Sequence, residues 1–311
     1  MILVANSITK FHEEHAVLRS VGLTVHKRER LAIIGETGSG KTTLLRALAG
    51  LIELDAGEII FEGNRVKGPS EVLLPGHSGI SYLHQAVNLR NHYKVKDLLE
   101  RHSIQDGEAD RKLAAICRID HLLERMTDQL SGGERQRIAL AIELSKHPSL
   151  LLLDEPFSNL DIGHRNTLKA VLDTLHQEMG LTLAIVSHNP SEVLGWADRM
   201  LVLRQGNIIQ EGTPRSIYDH PIDAYTACLL GPYNYVRLRS NDIPVFLRPE
   251  KLGLSVDTKG DWKGQLIEEE FDGHSSLYTV KTDRGNILVR DLPGHPIGRE
   301  VCIFIHPNTE L

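Results

Sequence analysis

Apolar and polar positions change their period three times along the chain. Residues 2 to 35 have the alternating, β-branched texture of strands, as ILVANSI, then VLRSVGLTV, then the unbroken apolar run LAIIG. GETGSGKT follows that run directly. TLLRALAG comes next, an amphipathic stretch closed by Gly50, which suits the position just past a helix end. A strand, a glycine loop and a helix are predicted in that order. GEIIFEGNRV reads as a hairpin about Gly63 and Asn64, residues that supply the positive φ of a tight turn.

From about residue 95 to 146 the strand texture is lost. VKDLLERH, ADRKLAAICRIDHLLERM and ERQRIALAIELSK set apolar residues at helical spacing and predict a helical insert. At SLLLLDEP strands return and alternate with helices: LLLL, a helix from about Ile162 to Met179 closed by Gly180, LTLAIVSH, a further helix, and MLVLRQG. Near-continuous apolar strands between helices imply an α/β fold, a parallel sheet covered on both faces, with ligands at the carboxyl ends of its strands. Beyond YTACLLGPYN, near residue 235, short β-rich segments separated by Gly, Asp or Pro predict a small all-β barrel or sandwich. The expected division is therefore residues 1–234, with a helical subdomain over about 90–146, and residues 235–311.

A length of 311 residues accommodates two such domains. No apolar run approaches the roughly 18 residues that span a bilayer. The start, MILVANSITKFHEEH, has neither a basic leading region nor a small-residue cleavage site, and reads as a first strand rather than an export signal. Cys117, Cys228 and Cys302 are scattered and never form a CxxC pair, which fits reduced thiols of a cytosolic protein. A net charge of −6 without a basic stripe argues against nucleic acid as a partner, and the 16 histidines show no metal-ligand spacing.

Three segments carry chemistry. GETGSGKT matches the phosphate-binding loop, with Gly35, Gly40, Lys41 and Thr42 at the required spacing. Glycines let backbone N–H groups surround phosphates, Lys41 reaches the β and γ oxygens, and the Thr42 hydroxyl suits Mg²⁺. The following helix aims its positive end at the same place. LLLLDEP ends an apolar strand on Asp154 and Glu155, where a carboxylate needs a cation or water beside it. Asp154 is suited to hold Mg²⁺ through its water shell, and Glu155 to polarise the attacking water. In LSGGERQ, Ser131 and Glu134 form a capping box that starts a helix. Capping does not explain Gly132 and Gly133, since glycine in a helix costs about 1 kcal/mol relative to alanine. The two glycines are read as opening the N–H groups to an anion.

With these residues in place the sequence resembles the ABC-transporter ATPase family, through essentially the whole chain. The ordered set is Phe11, the phosphate loop, Gln85, LSGGERQ, LLLLDEP, SNLD at 158 to 161, and His188. The resemblance implies an ABC-type phosphate-loop ATPase domain with a helical subdomain, and ATP with Mg²⁺ as its ligands. It implies a homodimer that sandwiches two ATP molecules, so that the phosphate loop of one subunit faces Ser131, Gly132 and Gly133 of the other. Thr37, Gly38, Ser39 and Thr43 join the nucleotide-contacting set on the same ground. Phe11 would stack on adenine, Gln85 would touch Mg²⁺ and the water, His188 would fix the γ-phosphate and Glu155, and Asp161 would communicate across the dimer. Each has a plainer rival: a sheet-packing aromatic for Phe11, an exposed loop residue for Gln85, a polar strand end for His188, a helix cap for Asp161. ALAIEL stands where ALARAL is usual, and His84 where an aromatic is frequent; neither is a phosphate-contacting position.

The stretch QGNIIQEGTPRSIYDHP with LLGPYN is similar to the linker of importers whose binding proteins and membrane subunits are separate chains. The tail, VFLRPEKLGLS with GQLIEEEFDGHSSLYTVKTDRGNILVR, resembles the TOBE-type β-domain of importers for sugars, ferric iron, polyamines or inorganic oxyanions. Its shortness favours the iron, polyamine or oxyanion group. Integral membrane permease subunits, and through them a substrate-binding protein, are the implied partners, with this chain peripheral on the cytoplasmic face of the membrane. A soluble ABC-type ATPase acting on ribosomes or DNA is the alternative, but two cassettes, a long coiled coil or a basic surface would mark it. A phosphate-loop kinase would have no use for LSGGERQ.

Overall fold

The structure is a computed structural model that describes residues 1–84, 89–102, 107–238, 243–255 and 260–307. It divides into two compact units, Met1–Pro214 and Arg215–Leu311.

The first unit opens with β1 (Leu3–His12), β2 (His15–Val25), β3 (Arg30–Ile34), α1 (Lys41–Leu48), β4 (Ala56–Phe61), β5 (Asn64–Arg65) and β6 (Ile80–Leu83). The helices α2 (Val95–His102), α3 (Gly107–Ile116) and α4 (Gly132–Leu144) follow, then β7 (Leu150–Asp154), α5 (Ile162–Met179), β8 (Thr182–Ser187), β9 (Arg199–Arg204), β10 (Asn207–Gly212) and, across the boundary, α6 (Pro214–Asp219). One antiparallel sheet has the order β2-β1-β4-β5; the second runs β10-β9-β3-β8-β7-β6, parallel except for β10 at its edge. Leu31, Ile33, Leu150, Leu152, Ala184 and Val186 join the antiparallel sheet and the apolar side of α1 in one core cluster. The alternate residues Ala32, Ile34, Leu151, Leu153 and Ile185 are equally buried, so both sheet faces are covered, as unbroken apolar strands require. Arg199 fastens the two sheets, pairing with buried Glu29 at 2.6 Å and donating to the Thr24 carbonyl.

Two local expectations shift. The hairpin turns on Glu62 and Gly63, both at positive φ, while Asn64 already belongs to β5. Between β8 and β9 there is no α-helix but a 3₁₀ turn, Pro190–Glu192, that Asn189 caps by accepting from Ser191 N. Pro190 starts that turn without a donor of its own, and Gly195 follows within five residues, so the stretch is too short to propagate a helix.

The second unit holds α7 (Ala224–Leu229), β11 (Asn234–Val236) paired with β12 (Val245–Leu247), and an antiparallel sheet of order β13-β17-β14-β15-β16. Its strands are β13 (Leu252–Ser255), β14 (Trp262–Phe271), β15 (Ser276–Thr282), β16 (Gly285–Asp291) and β17 (Glu300–Ile305). Trp262, Leu266, Tyr278, Val280, Val289 and Ile303 centre its core. The all-β expectation for the tail is met, but compactness begins before residue 235. Buried Arg248 donates to the carbonyls of Tyr218, Ala227, Gly231 and Pro232, which draws the segment from 215 to 234 into this unit. Asn234 completes the tie, giving and taking backbone hydrogen bonds with Leu288.

The cysteines differ sharply in reach. Cys117 is fully buried and its thiol is pushed up to about 12 by desolvation; Cys302 is buried and Cys228 exposed. Because the thiolate is the nucleophile, iodoacetamide at pH 8 is expected to modify Cys228 alone in the native protein, and all three in denaturant. Peptide mass mapping reads the result; native labelling of Cys117 would contradict this packing.

Candidate nucleotide site

In the parallel sheet β3, β8, β7 and β6 lie side by side, so the segments leaving their carboxyl ends emerge on one edge. The loop from Gly35 to Gly40 leaves β3, Asp154 ends β7 with Glu155 after it, and His188 follows β8. Gln85, beyond β6, lies outside the described residues.

The loop turns into α1 at Gly40, whose φ of 105° and whose Cβ position only 2.7 Å from the Val17 carbonyl oxygen both demand glycine. Lys41 begins the helix, 5% exposed, and its Nζ donates to the carbonyls of Gly35 and Glu36, both at 2.8 Å. Desolvation lowers the Lys41 pKa, against the pull of Glu155, Asp154 and Glu36. Thr42 Oγ1 donates to Asp154 Oδ1 at 3.0 Å, although 112 residues separate them. Asp154 is buried, and its second oxygen takes the Tyr82 hydroxyl at 2.7 Å. Burial, and then this hydrogen bond, push the Tyr82 phenol well above its ordinary value. Tyr82 was not singled out by the sequence; it is one polar group in an apolar strand, and only strand adjacency reveals its partner.

Glu155 holds φ at 47°, an uncommon conformation for a side chain of its size, while its N–H donates to Val186 O at 3.1 Å. Its Oε2 lies 3.0 Å from His188 Nδ1. Lysine, threonine hydroxyl, two carboxylates and imidazole therefore share one edge. The Ser39 hydroxyl, 2% exposed, has no hydrogen-bond partner among the described residues, an orphaned donor within the loop suited to phosphate. The Thr42 and Asp154 oxygens are the hard donors that Mg²⁺ takes.

Ser131, Gly132, Gly133 and Asp161 form a second group. Ser131 caps α4: its Oγ accepts from Glu134 N at 3.3 Å, and Glu134 Oε2 accepts from Ser131 N at 2.8 Å, the expected capping box. Gly132 has open space where a Cβ would stand. Gly133 does not; a Cβ there would lie 2.1 Å from the His164 ring, so glycine leaves room for the imidazole. Asp161 caps α5, taking His164 N at 2.9 Å. The Gln136 side chain donates to Pro156 O, joining α4 to the turn after Glu155. Phe11, near the end of β1, is 45% exposed. Its N–H donates to Asp55 Oδ2 at 2.6 Å. Thr37 and Gly38 lie in the loop, and Thr43 in the first turn of α1.

This arrangement has counterparts. A family described as ABC transporter matches residues 18–158. The chain is 33% identical over 280 residues to the sulfate/thiosulfate import ATP-binding protein CysA of Pectobacterium atrosepticum, covering 86% of this chain and 84% of that protein. It is 31% identical to the glucose import ATP-binding protein GlcV of Saccharolobus solfataricus, over 99% of this chain and 97% of the other. With the spermidine/putrescine import ATP-binding protein PotA of Thermotoga maritima the identity is 29%, over 91% and 87%. Among solved structures, the ADP conformation of MJ1267, an ATP-binding cassette of an ABC transporter, superposes with a TM-score of 0.63 at 26% identity, over 73% of this chain and 98% of that one. A dimeric post-hydrolysis state of the ATP-binding cassette MJ0796, bound to ADP and Pi, gives 0.59 at 25%, over 69% and 99%.

Proposed function

The chain belongs to the ABC transporter family as an ATP-binding subunit, a class that hydrolyses ATP to power transport, and on that premise we propose that it drives an importer as a homodimer. One observation supports the catalytic reading most: Lys41, the Thr42–Asp154 pair and the Glu155–His188 pair stand together on the carboxyl edge of one parallel sheet.

The roles follow from chemistry. Loop N–H groups, the Ser39 hydroxyl and Lys41 bind the phosphates, with Nζ leaving the Gly35 and Glu36 carbonyls for phosphate oxygens. Thr42 and Asp154 would hold Mg²⁺, with Gln85 as a further ligand, and the ion would supply positive charge to offset that developing on the phosphates. Glu155 takes up the proton of the attacking water, and His188 fixes the carboxylate at 3.0 Å. Phe11 stacks on the adenine. Ser131, Gly132 and Gly133 meet the nucleotide held by the facing subunit, and Asp161 faces that subunit too.

The relatives' names, which speak of polyamine, sulfate/thiosulfate and glucose import, support import over export. A polyamine or an inorganic oxyanion is the cargo class we favour, ferric iron remaining in the same group. The β-sheet unit is read as a TOBE-like domain. Permease subunits then dock on this chain at the cytoplasmic face of the membrane, and a substrate-binding protein acts through them.

Tagged chain isolated from detergent-solubilised membranes is expected to carry integral membrane subunits with it. Recovery of ribosomal RNA or DNA with no integral membrane partner would overturn the transporter reading.

A further inference from the structure

His164 lies in the first turn of α5, and its imidazole reaches the start of α4. Nδ1 is 2.7 Å from Asp161 Oδ2, and Nε2 is 3.3 Å from Ser131 Oγ. Backbone capping by Asp161 needs only the N–H of residue 164, whatever its side chain. The ring is therefore not explained by the cap. It also needs room that only glycine leaves at 133, where a Cβ would strike it. A hydroxyl has one hydrogen and two lone pairs, and the capping bond from Glu134 N already uses one lone pair of Ser131 Oγ. For the one hydroxyl hydrogen to stay free for a phosphate oxygen, which can only accept, the ring donates Nε2–H to the second lone pair of Ser131 Oγ.

We infer that His164 is a positioning residue that fixes the Ser131 hydroxyl and ties it to Asp161, so the surface offered to the facing subunit's nucleotide is set before the dimer closes. The inference rests on the proposed contact of Ser131 with ATP across the dimer. A hydroxyl held in advance loses less rotamer freedom on binding, and a hydrogen bond to a charged phosphate gains accordingly. The side chain at 164 bridges two helix starts that belong to different sequence motifs, SNLD and LSGGE.

Two amides separate the two ring contacts. In His164→Asn the amide stands near the δ position and keeps Asp161 in reach but not Ser131. In His164→Gln it stands near the ε position and reaches Ser131. Both are placed in the full chain carrying Glu155→Gln, and light scattering follows the ATP concentration that half-converts monomer to dimer. His164→Asn is expected to raise that midpoint about tenfold, and His164→Gln to stay within about threefold of the parent. Nucleotide-free melting temperatures of both should lie within about 2 °C of the parent. Equal midpoints for Asn, Gln and parent, or equal shifts for Asn and Gln, would mean the ring only fills space and would overturn the inference. Ser131→Ala in the same background separates the two claims. If it leaves the midpoint unchanged, the cross-subunit role of Ser131 fails; if it raises the midpoint while His164→Asn does not, only the positioning role fails.

Discussion

Glu155→Gln is expected to lower steady-state ATP hydrolysis by about 100-fold or more while ATP still binds and a nucleotide-loaded dimer accumulates. The substitution keeps shape and volume and removes only the negative charge. Glu155 Oε2 sits 3.0 Å from His188 Nδ1, and an amide oxygen can still accept there, so the edge keeps its geometry. The backbone is held independently of the side chain: Glu155 N donates to Val186 O, and Ser158 Oγ donates to Glu155 O at 2.8 Å. What is lost is a group able to take a proton from water. The proposed phosphate contacts through Lys41 and the loop are untouched, so affinity should change little. If closure on ATP holds two subunits together and hydrolysis releases them, removing the base stops the cycle in the closed state. Phosphate release and light scattering on the same sample read both halves. Hydrolysis within about threefold of wild type would remove Glu155 from the role of base.

The linear motifs were legible because their chemistry is local. A strand, a glycine loop and a helix start are consecutive, so GETGSGKT shows its own geometry, and the Ser131–Glu134 capping box is a spacing of three. Unbroken apolar runs announced the parallel sheet, and that sheet accounts for Thr42 meeting Asp154. Strand order was not legible, because hydrophobic periodicity says that a strand is buried but not which strand lies beside it. Tyr82 escaped notice for that reason: it reaches Asp154 only because β6 pairs with β7. His164 escaped for a similar reason, since α4 and α5 are separated in sequence by β7. It also gives Gly133 a packing role, as the seat of that ring. The segment from 215 to 234 clusters with the second unit, where the guanidinium of Arg248 gathers its carbonyls.

Lys41→Met should abolish tight ATP binding without unfolding the chain. Lys41 is buried at the start of α1, and methionine, unbranched and of similar length, fills the space of its stem. Only the ammonium is lost. In the nucleotide-free chain this strands the Gly35 and Glu36 carbonyls that Nζ satisfies at 2.8 Å, a cost of about 1–3 kcal/mol. With ATP the loss is larger. In the proposed role, a buried cation facing β and γ oxygens has no substitute, and truncating one partner of such a pair costs about 2–5 kcal/mol, roughly 30-fold to several thousand-fold in affinity. Thermal denaturation distinguishes the two effects. A ligand at 100 times its dissociation constant stabilises the folded state by about 2.7 kcal/mol, so wild-type chain should melt several degrees higher with saturating ATP and Mg²⁺. Lys41→Met should melt near the wild-type temperature without nucleotide and gain almost nothing when ATP is added. An ATP-induced shift equal to that of wild type would show that Lys41 does not contact the phosphates, and would return its bonds to Gly35 and Glu36 to a purely structural role.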